Sequence, residues 1–358
     1  MDESEKKELL SVIDSGWFTE AQKTKKFEKI FADFIGSKFA CAVTSGTAGL
    51  YLAANALGIK NNDEVIMPDL TFVASPNSIQ ANNAKPVLVD IKNDTMNLDT
   101  SLIDKKITKR TKAIMAVNFN GRTTNMKVLK EIAQKNNLKL IEDAAHSLGS
   151  YYGKKHQGTL SDVGVFSFST PKIITTGQGG MIVTNNKNLY NKCVELKDFG
   201  RKIGAKKKMM STFEHKTIGY NFKFTEFQAA IGISQMKKLR KRIKIKKNMF
   251  DLYQDLLNNV DGVKFVETDL NKITPWMIDI ILKNESEKLK LINFLNANYI
   301  QTRVFYPPIH KLNPYKDSNK NFKITTDIAK RGLWLPSSVT LKDKDIFRIT
   351  KLIKKFLH

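Results

Sequence analysis

One lysine, Lys172, stands between two strand-like runs in VGVFSFSTPKIITTGQGGMIVTN, residues 163–185, with hydroxyls and glycines on either side. A primary amine in that setting is a nucleophile. Once desolvation removes its proton it can form a Schiff base with an aldehyde and afterwards carry protons. Most lysines of a lysine-rich chain are solvated surface charges, so the flank has to carry the signal. Pro171 precedes Lys172, the hydroxyls of Ser167, Ser169, Thr175 and Thr176 surround it, and a Gly-Gln-Gly-Gly turn allows close backbone approach. VGVFSF and GMIVTN are short, apolar and β-branched or aromatic. TPKIITTGQGG is therefore a connection at strand ends, where α/β proteins gather their chemistry.

Two other segments offer complementary chemistry. KLIEDAAHSLGS, residues 139–150, reads as a buried strand that ends in Glu142 and Asp143. An aspartate at a strand end points into the crevice and can hold a protonated pyridinium nitrogen, which makes the ring an electron sink; in the other reading Asp143 only caps the next turn. CAVTSGTAGLYLAANALGI, residues 41–59, runs from strand through Ser-Gly-Thr into an alanine- and leucine-rich helix. Free N–H groups and the helix dipole attract a phosphate there, Gly46 lets it approach and Thr47 adds a hydroxyl. The segment is neither a dinucleotide glycine fingerprint nor a P-loop, and Ser-Gly-Thr alone also reads as an N-cap.

The elements that must position these groups follow from the apolar pattern. FACAVTS, EVIMP, PVLVDI, KAIMAVNF, KLIEDAA, VGVFSF and GMIVTN are seven strand-like runs, with helical patterns such as NMKVLKEIAQKNN between most of them. That alternation predicts a mostly parallel seven-stranded sheet covered on both faces. Beyond a lysine-rich helix, VKFVE, WMIDIILKN and TRVFY alternate with two helical runs and predict a small α+β domain. The boundary falls near Arg240, giving residues 1–240 as a large domain and 241–358 as a small one.

Composition narrows the class. The 358 residues, 41% hydrophobic, are those of a soluble globular enzyme, and no run approaches a membrane span. MDESEKKELLSVI has no apolar signal core, so a cytoplasmic location is expected. Cys41 and Cys193 read as small core residues, and five scattered histidines give no metal-ligand spacing. The formal charge of +24 is the feature that points elsewhere. Residues 237–247, KKLRKRIKIKK, would suit a polyanion or an acidic membrane, but no aromatic residues interleave them as stacking platforms. They are read as the solvated face of a helix continuing from TEFQAAIGISQM, with no nucleic-acid or membrane partner.

Taken in order, SGWFTEAQKTKKFEKIFADFIGSKFACAVTSGTAGL, EVIMPDLTFVASPNSI, EDAAHSLGS, FSFSTPKIITTGQGGMIVTN, KDFGR, IGYNFKFTEFQAAIGISQM, TRVFYPPIHKLNPY and WLPSS resemble the DegT/DnrJ/EryC1/StrS sugar aminotransferases. These are pyridoxal phosphate enzymes of the aspartate aminotransferase fold, fold type I, and the likeness runs nearly end to end. It implies that Lys172 bonds to the cofactor, Asp143 holds the pyridine nitrogen, and Phe72 stacks on the ring. It also implies that Gly46, Thr47 and Ser167 bind the phosphate and that His146 lies beside the cofactor. Asn221 resembles an asparagine that reaches the phosphate from the neighbouring subunit, which would make a homodimer with shared sites.

The family's dehydratases carry histidine in place of this lysine, so Lys172 implies amino transfer, with L-glutamate as the usual donor and a nucleotide-linked keto sugar as acceptor. TRVFYPPIH is similar to a segment of the perosamine synthase-like group, which aminates C4 of a 4-keto-6-deoxyhexose on a nucleoside diphosphate. Arg303 and His310 become candidates for contacts to the sugar or its diphosphate; their plainer readings are a salt-bridging strand residue and a capping histidine. GQGG departs from the commoner Gly-Glu-Gly-Gly, and VNFNGR from a commoner histidine-containing segment. The alternatives are amination at C3, a dehydratase of the same fold, and a basic binding or regulatory protein without chemistry.

Overall fold

The computed structural model describes residues 1–203, 214–316 and 322–357. Each of the seven apolar runs forms a strand of one sheet: β1 (Phe39–Val43), β2 (Glu64–Pro68), β3 (Lys85–Val89), β4 (Thr111–Val117) and β5 (Lys139–Asp143), then β8 (Val163–Ser167) and β9 (Gly180–Thr184). A short hairpin of β6 (Tyr151–Tyr152) and β7 (Lys155–His156) intervenes. The strand order is β1-β9-β8-β5-β4-β2-β3, and β9 runs antiparallel to its two neighbours while the rest pair in parallel. β1, β2, β4, β5 and β8 therefore deliver their C-terminal ends to the same edge.

Burial on both faces explains the near-continuous apolar strands. Val65, Met67, Met115 and Ile141 point into one core cluster with Leu50, Leu52 and Ala53 of α3 (Gly46–Ala56). Ile66, Ile114, Ala116 and Leu140 point into the opposite one, closed by Leu129 of α5 (Met126–Lys135). Small residues let α3 lie directly on the sheet: a Cβ on Gly49 would come within 2.7 Å of Val165. The remaining helices of this domain are α1 (Glu3–Ser15), α2 (Gln22–Ile35), α4 (Ala74–Gln80) and α6 (Lys187–Lys197).

The lysine-rich helix is α7 (Glu226–Leu257), opened by a capping box between Thr225 and Gln228. Its Ile233, Leu239 and Ile243 pack in the large-domain core with Phe27 and Phe31, whereas Ile245, Met249 and Phe250 pack in the small-domain core. We propose the division of the chain near Arg240 on that change of partner. The basic run is not one solvated face. Lys238 Nζ binds Asp2 and Glu5 of the N-terminal segment at 2.7 Å each, and Lys237 reaches Glu8 at 3.5 Å. Lys246 is buried and donates to the carbonyl of Ser337 at 2.7 Å. No helix among the described residues is long and apolar enough to cross a membrane.

The small domain is an antiparallel sheet of β10 (Val263–Phe265), β11 (Ile278–Leu282), β12 (Arg303–Val304) and β13 (Gly332–Leu335), in the order β10-β11-β13-β12. It carries α8 (Glu285–Ala297), α9 (Lys323–Arg331) and α10 (Asp343–Leu357). The turn after β4 fastens it to the large domain. Asn120 adopts a left-handed φ of 51° and pairs with both backbone groups of Met277, at 2.6 and 3.0 Å. Two residues on, Arg122 forms a bidentate pair with Asp279 of β11, at 2.6 and 3.0 Å, both side chains almost wholly buried.

Truncating Arg122 strands a buried carboxylate, so Arg122→Met is expected to destabilise the protein by about 3–5 kcal/mol. The double variant Arg122→Met, Asp279→Leu should lose much less than the sum of its two single changes. Thermal unfolding of the four proteins checks this, and additive losses would show that the two side chains do not act as a pair.

Candidate active site

Strand alternation separates the two adjacent carboxylates at the end of β5. Glu142 faces a dry structural corner, where it accepts from the N–H groups of Gly158 and Leu160 at 2.8 and 2.7 Å and from Asn118 and Ser161. Asp143 turns the other way, towards the strand-end crevice. Its Oδ2 accepts from Ser75 Oγ at 2.7 Å, and its Oδ1 from the N–H of Ala145 at 3.2 Å. Ser75 is joined in turn to Thr71 Oγ1 at 2.7 Å. Burial raises the Asp143 pKa above its ordinary value, against those hydrogen bonds and the charge of Lys172.

Lys172 lies in the connection that follows β8, with its N–H bonded to the carbonyl of Ser169. Desolvation brings its amine down to about 7; the Arg303 charge works in the same direction and Asp143 opposes it. The amine of Lys172 is thus easier to deprotonate than an ordinary lysine's, the property a nucleophile and proton carrier requires. His146 follows Asp143 and stacks on Trp276 at 3.9 Å between ring centroids. Burial, with Lys172 and Arg303 beside it, holds its imidazole well below the ordinary value, so the ring is neutral. Its Nδ1 accepts from the N–H of Asn120 at 3.5 Å, which leaves the proton on Nε2.

The third component is the start of α3. Ser45 caps it by accepting from the N–H of Ala48 at 3.1 Å. The N–H groups of Gly46 and Thr47 make no hydrogen bond among the described residues and stand free at the positive end of the helix dipole. Ser167 lies against Gly46 so closely that a Cβ there would sit 3.0 Å from its Cβ. Two bare N–H groups, two hydroxyls and a residue without a side chain form a phosphate cradle.

All three components line one cavity of about 270 Å³ at the C-terminal edge of the sheet. Gly46, Thr47, Phe72, Asp143, His146, Ser167, Lys172 and Arg303 all belong to its wall. Its donor set fits pyridoxal phosphate: a carboxylate for the ring nitrogen, an amine for the aldehyde, a cradle for the phosphate, and the Phe72 ring as an apolar wall. Phe72 packs against Tyr306 at 5.1 Å between centroids.

Two expected site residues lie elsewhere. His310 is buried outside this cavity; its N–H and Nδ1 bind the two oxygens of Asp69 at 2.9 and 2.6 Å, and its ring meets Phe322. That histidine holds the chain just before Phe72 and does not belong to the wall of this cavity. Asn221 is exposed, joined to Asp198 through a backbone bridge, and absent from the cavity wall. Conversely, sequence reasoning missed Ser75, Thr71, Trp276 and Tyr306. Ser75 and Thr71 lie inside TFVAS, where a hydroxyl beside Phe72 carries no spacing signal; Trp276 reads only as part of an apolar strand run.

Residues 1–354 match the DegT/DnrJ/EryC1/StrS aminotransferase family. The chain is 36% identical over 353 residues to GDP-perosamine synthase of Escherichia coli O157:H7, covering 98% of this chain and 95% of that protein. It is 35% identical over 363 residues to GDP-perosamine synthase of Vibrio cholerae, covering 100% and 97%. Among solved structures, Helicobacter pylori PseC, an aminotransferase involved in the biosynthesis of pseudoaminic acid, superposes with a TM-score of 0.93 at 28% identity, covering 100% of this chain and 97% of that one.

The cradle gives a direct test. Gly46→Val places branched methyls against Ser167 and is expected to raise the dissociation constant for pyridoxal phosphate by about tenfold or more, about 1.4 kcal/mol. Titration of cofactor absorbance measures it, and unchanged affinity would put the phosphate elsewhere.

Proposed function

The chain belongs to the DegT/DnrJ/EryC1/StrS aminotransferase family, and we propose from that premise that its cavity moves an amino group from L-glutamate to C4 of a keto-6-deoxyhexose carried on a nucleoside diphosphate. It is a pyridoxal phosphate-dependent nucleotide-sugar aminotransferase. The choice of C4 is supported by the perosamine synthases among its relatives and by the TRVFYPPIH segment, which places Arg303 in the cavity wall.

The observation that carries the reading is the meeting of a lysine with a lowered pKa, a buried carboxylate and an anion cradle in one cavity. The bound cofactor supplies an aldehyde and a ring that withdraws electrons from the carbon under attack. Gly46, Thr47 and Ser167 hold the phosphate and fix the ring's position. Asp143 Oδ holds a proton on the ring nitrogen, and Ser75 keeps that carboxylate turned towards it. Lys172 Nζ would take the proton from the donor's α-carbon in the first half of the cycle and would deliver one proton to the accepting sugar carbon in the second. Phe72 and the aromatic wall of Trp276 and Tyr306 exclude water.

The site is completed in a homodimer in this reading. Asn221 supplies its amide to the partner's phosphate cradle, and the reading is supported by its exposure and by the exposed apolar side chains of Phe199, Ile203 and Ile218 in neighbouring segments. Substrates and enzyme meet in the cytoplasm.

Lys172→Ala is expected to cost about a thousandfold or more in turnover while the fold persists, because tether and proton shuttle vanish together. Single-turnover assays with a keto sugar nucleotide, beside circular dichroism, decide it; near wild-type turnover would remove the assignment.

The shared site has its own test. Lys172→Ala subunits co-refolded with Asn221→Glu subunits, each inactive alone, should form heterodimers in which one site carries both lesions and the other neither, recovering up to about half of the activity per dimer. Demonstrated heterodimers without recovery would place both residues in one subunit's site.

A further inference from the structure

Trp276 comes from the small domain and touches three parts of the site. Its indole N–H donates to the carbonyl of Pro171, the residue before Lys172, at 2.7 Å. His146 stacks on its ring with an interplanar angle of 23°. Lys172 Nζ stands 4.2 Å from its ring centroid. The indole is itself held in place. It is buried, Trp334 meets it edge-on at 5.5 Å, and Asn120 fastens the backbone of the next residue, Met277.

Lys172 Nζ makes no hydrogen bond among the described residues, and both oxygens of Asp143 are engaged by Ser75 and Ala145. An aminotransferase lysine is unbonded for part of every cycle, while the cofactor carries the amino group. A four-carbon stem then has several rotamers open to it, and only some bring the amine back to the reacting carbon. An aromatic face attracts an ammonium through its quadrupole but has no basic atom, so it holds the cation without taking its proton. We infer that Trp276 is a positioning residue whose indole face is the resting place of the Lys172 ε-ammonium in the part of the cycle when that lysine is both unbonded to the cofactor and protonated. The inference rests on the reading of Lys172 as the cofactor-bonding lysine. Neutral His146, stacked on the same ring, keeps the indole aligned without repelling the cation.

The test reads the amine itself. Protein loaded with pyridoxamine phosphate, in which Lys172 is unbonded, is treated with trace acetic anhydride across a range of pH. Acetylation of the Lys172 peptide is then scored by mass spectrometry against exposed Lys60 and Lys85. Losing the aromatic face removes a stabiliser of the charged form, so the apparent pKa of Lys172 falls. Below that pKa, Trp276→Leu should acetylate about three- to tenfold faster than the parent, with Trp276→Phe between them. Site-specific replacement of Trp276 by mono-, di- and trifluorotryptophan keeps the shape, weakens the ring quadrupole stepwise, and should raise the rate stepwise even if the leucine variant does not fold. A fluorinated series without a trend overturns the inference. Borohydride reduction of the pyridoxal form separately reports which lysine bonds the cofactor, and a label on any lysine other than Lys172 would overturn the underlying reading instead.

Discussion

Desolvation of one amine is the constraint on which the site depends. A lysine in water is protonated and inert; removed from water it becomes a base and a nucleophile, at a cost the surrounding protein must bear. Among the described residues the cavity wall meets that cost with a single carboxylate, Asp143, and sets a second cation, Arg303, beside it. The balance is deliberately short of negative charge. A fully paired lysine would stay protonated, and an isolated one would unsettle the fold. The surplus of positive charge also suits a site whose cofactor and whose substrates are all anions.

That dryness depends on the small domain. The large domain alone provides the strand ends, the helix start and the reactive segment, but Trp276, Tyr306 and Arg303 close the cavity from the other side. Short, buried polar contacts run from the turn after β4 to Met277 and Asp279, beside an apolar cluster in which Phe119 of the large domain meets Phe305 and Trp334 of the small one. Even Gly121 belongs to this joint: its φ is 84°, and a Cβ there would come 2.4 Å from the carbonyl of Thr274. The segment VNFNGR, unusual for the family in sequence, is where the domains are fastened.

The sheet was legible in the sequence because each strand is an apolar run ended by turn residues, and a doubly covered parallel sheet imposes that pattern. The two-residue strands β6 and β7 were not, since two residues carry no period, whereas β12 falls inside the expected TRVFY run. Lys172, Asp143, Gly46 and Thr47 were legible because each sits at a strand end or helix start within a single short segment. Ser75, Trp276 and the Asp69 partner of His310 were not, because their meaning lies in a neighbour distant along the chain. The basic run shows the same limit. Its helix was readable, but its pairing with the acidic start of α1 and the burial of Lys246 depend on elements that no local window contains.

The continuous 32-residue α7 has a mechanical consequence. Hinge closure of two domains is absorbed by a few pliable residues in a connecting strand or loop. Here the connection includes an unbroken helix whose first half is embedded in one core and whose second half is embedded in the other. It contains no proline, and its glycine, Gly232, is pressed against the Phe27 ring inside the large-domain core, away from the junction. Swinging one domain would mean bending a stiff rod clamped at both ends. An amino acid and a bulky sugar nucleotide must therefore take turns in a chamber of nearly fixed size, and the accommodation between them falls to loops at its mouth.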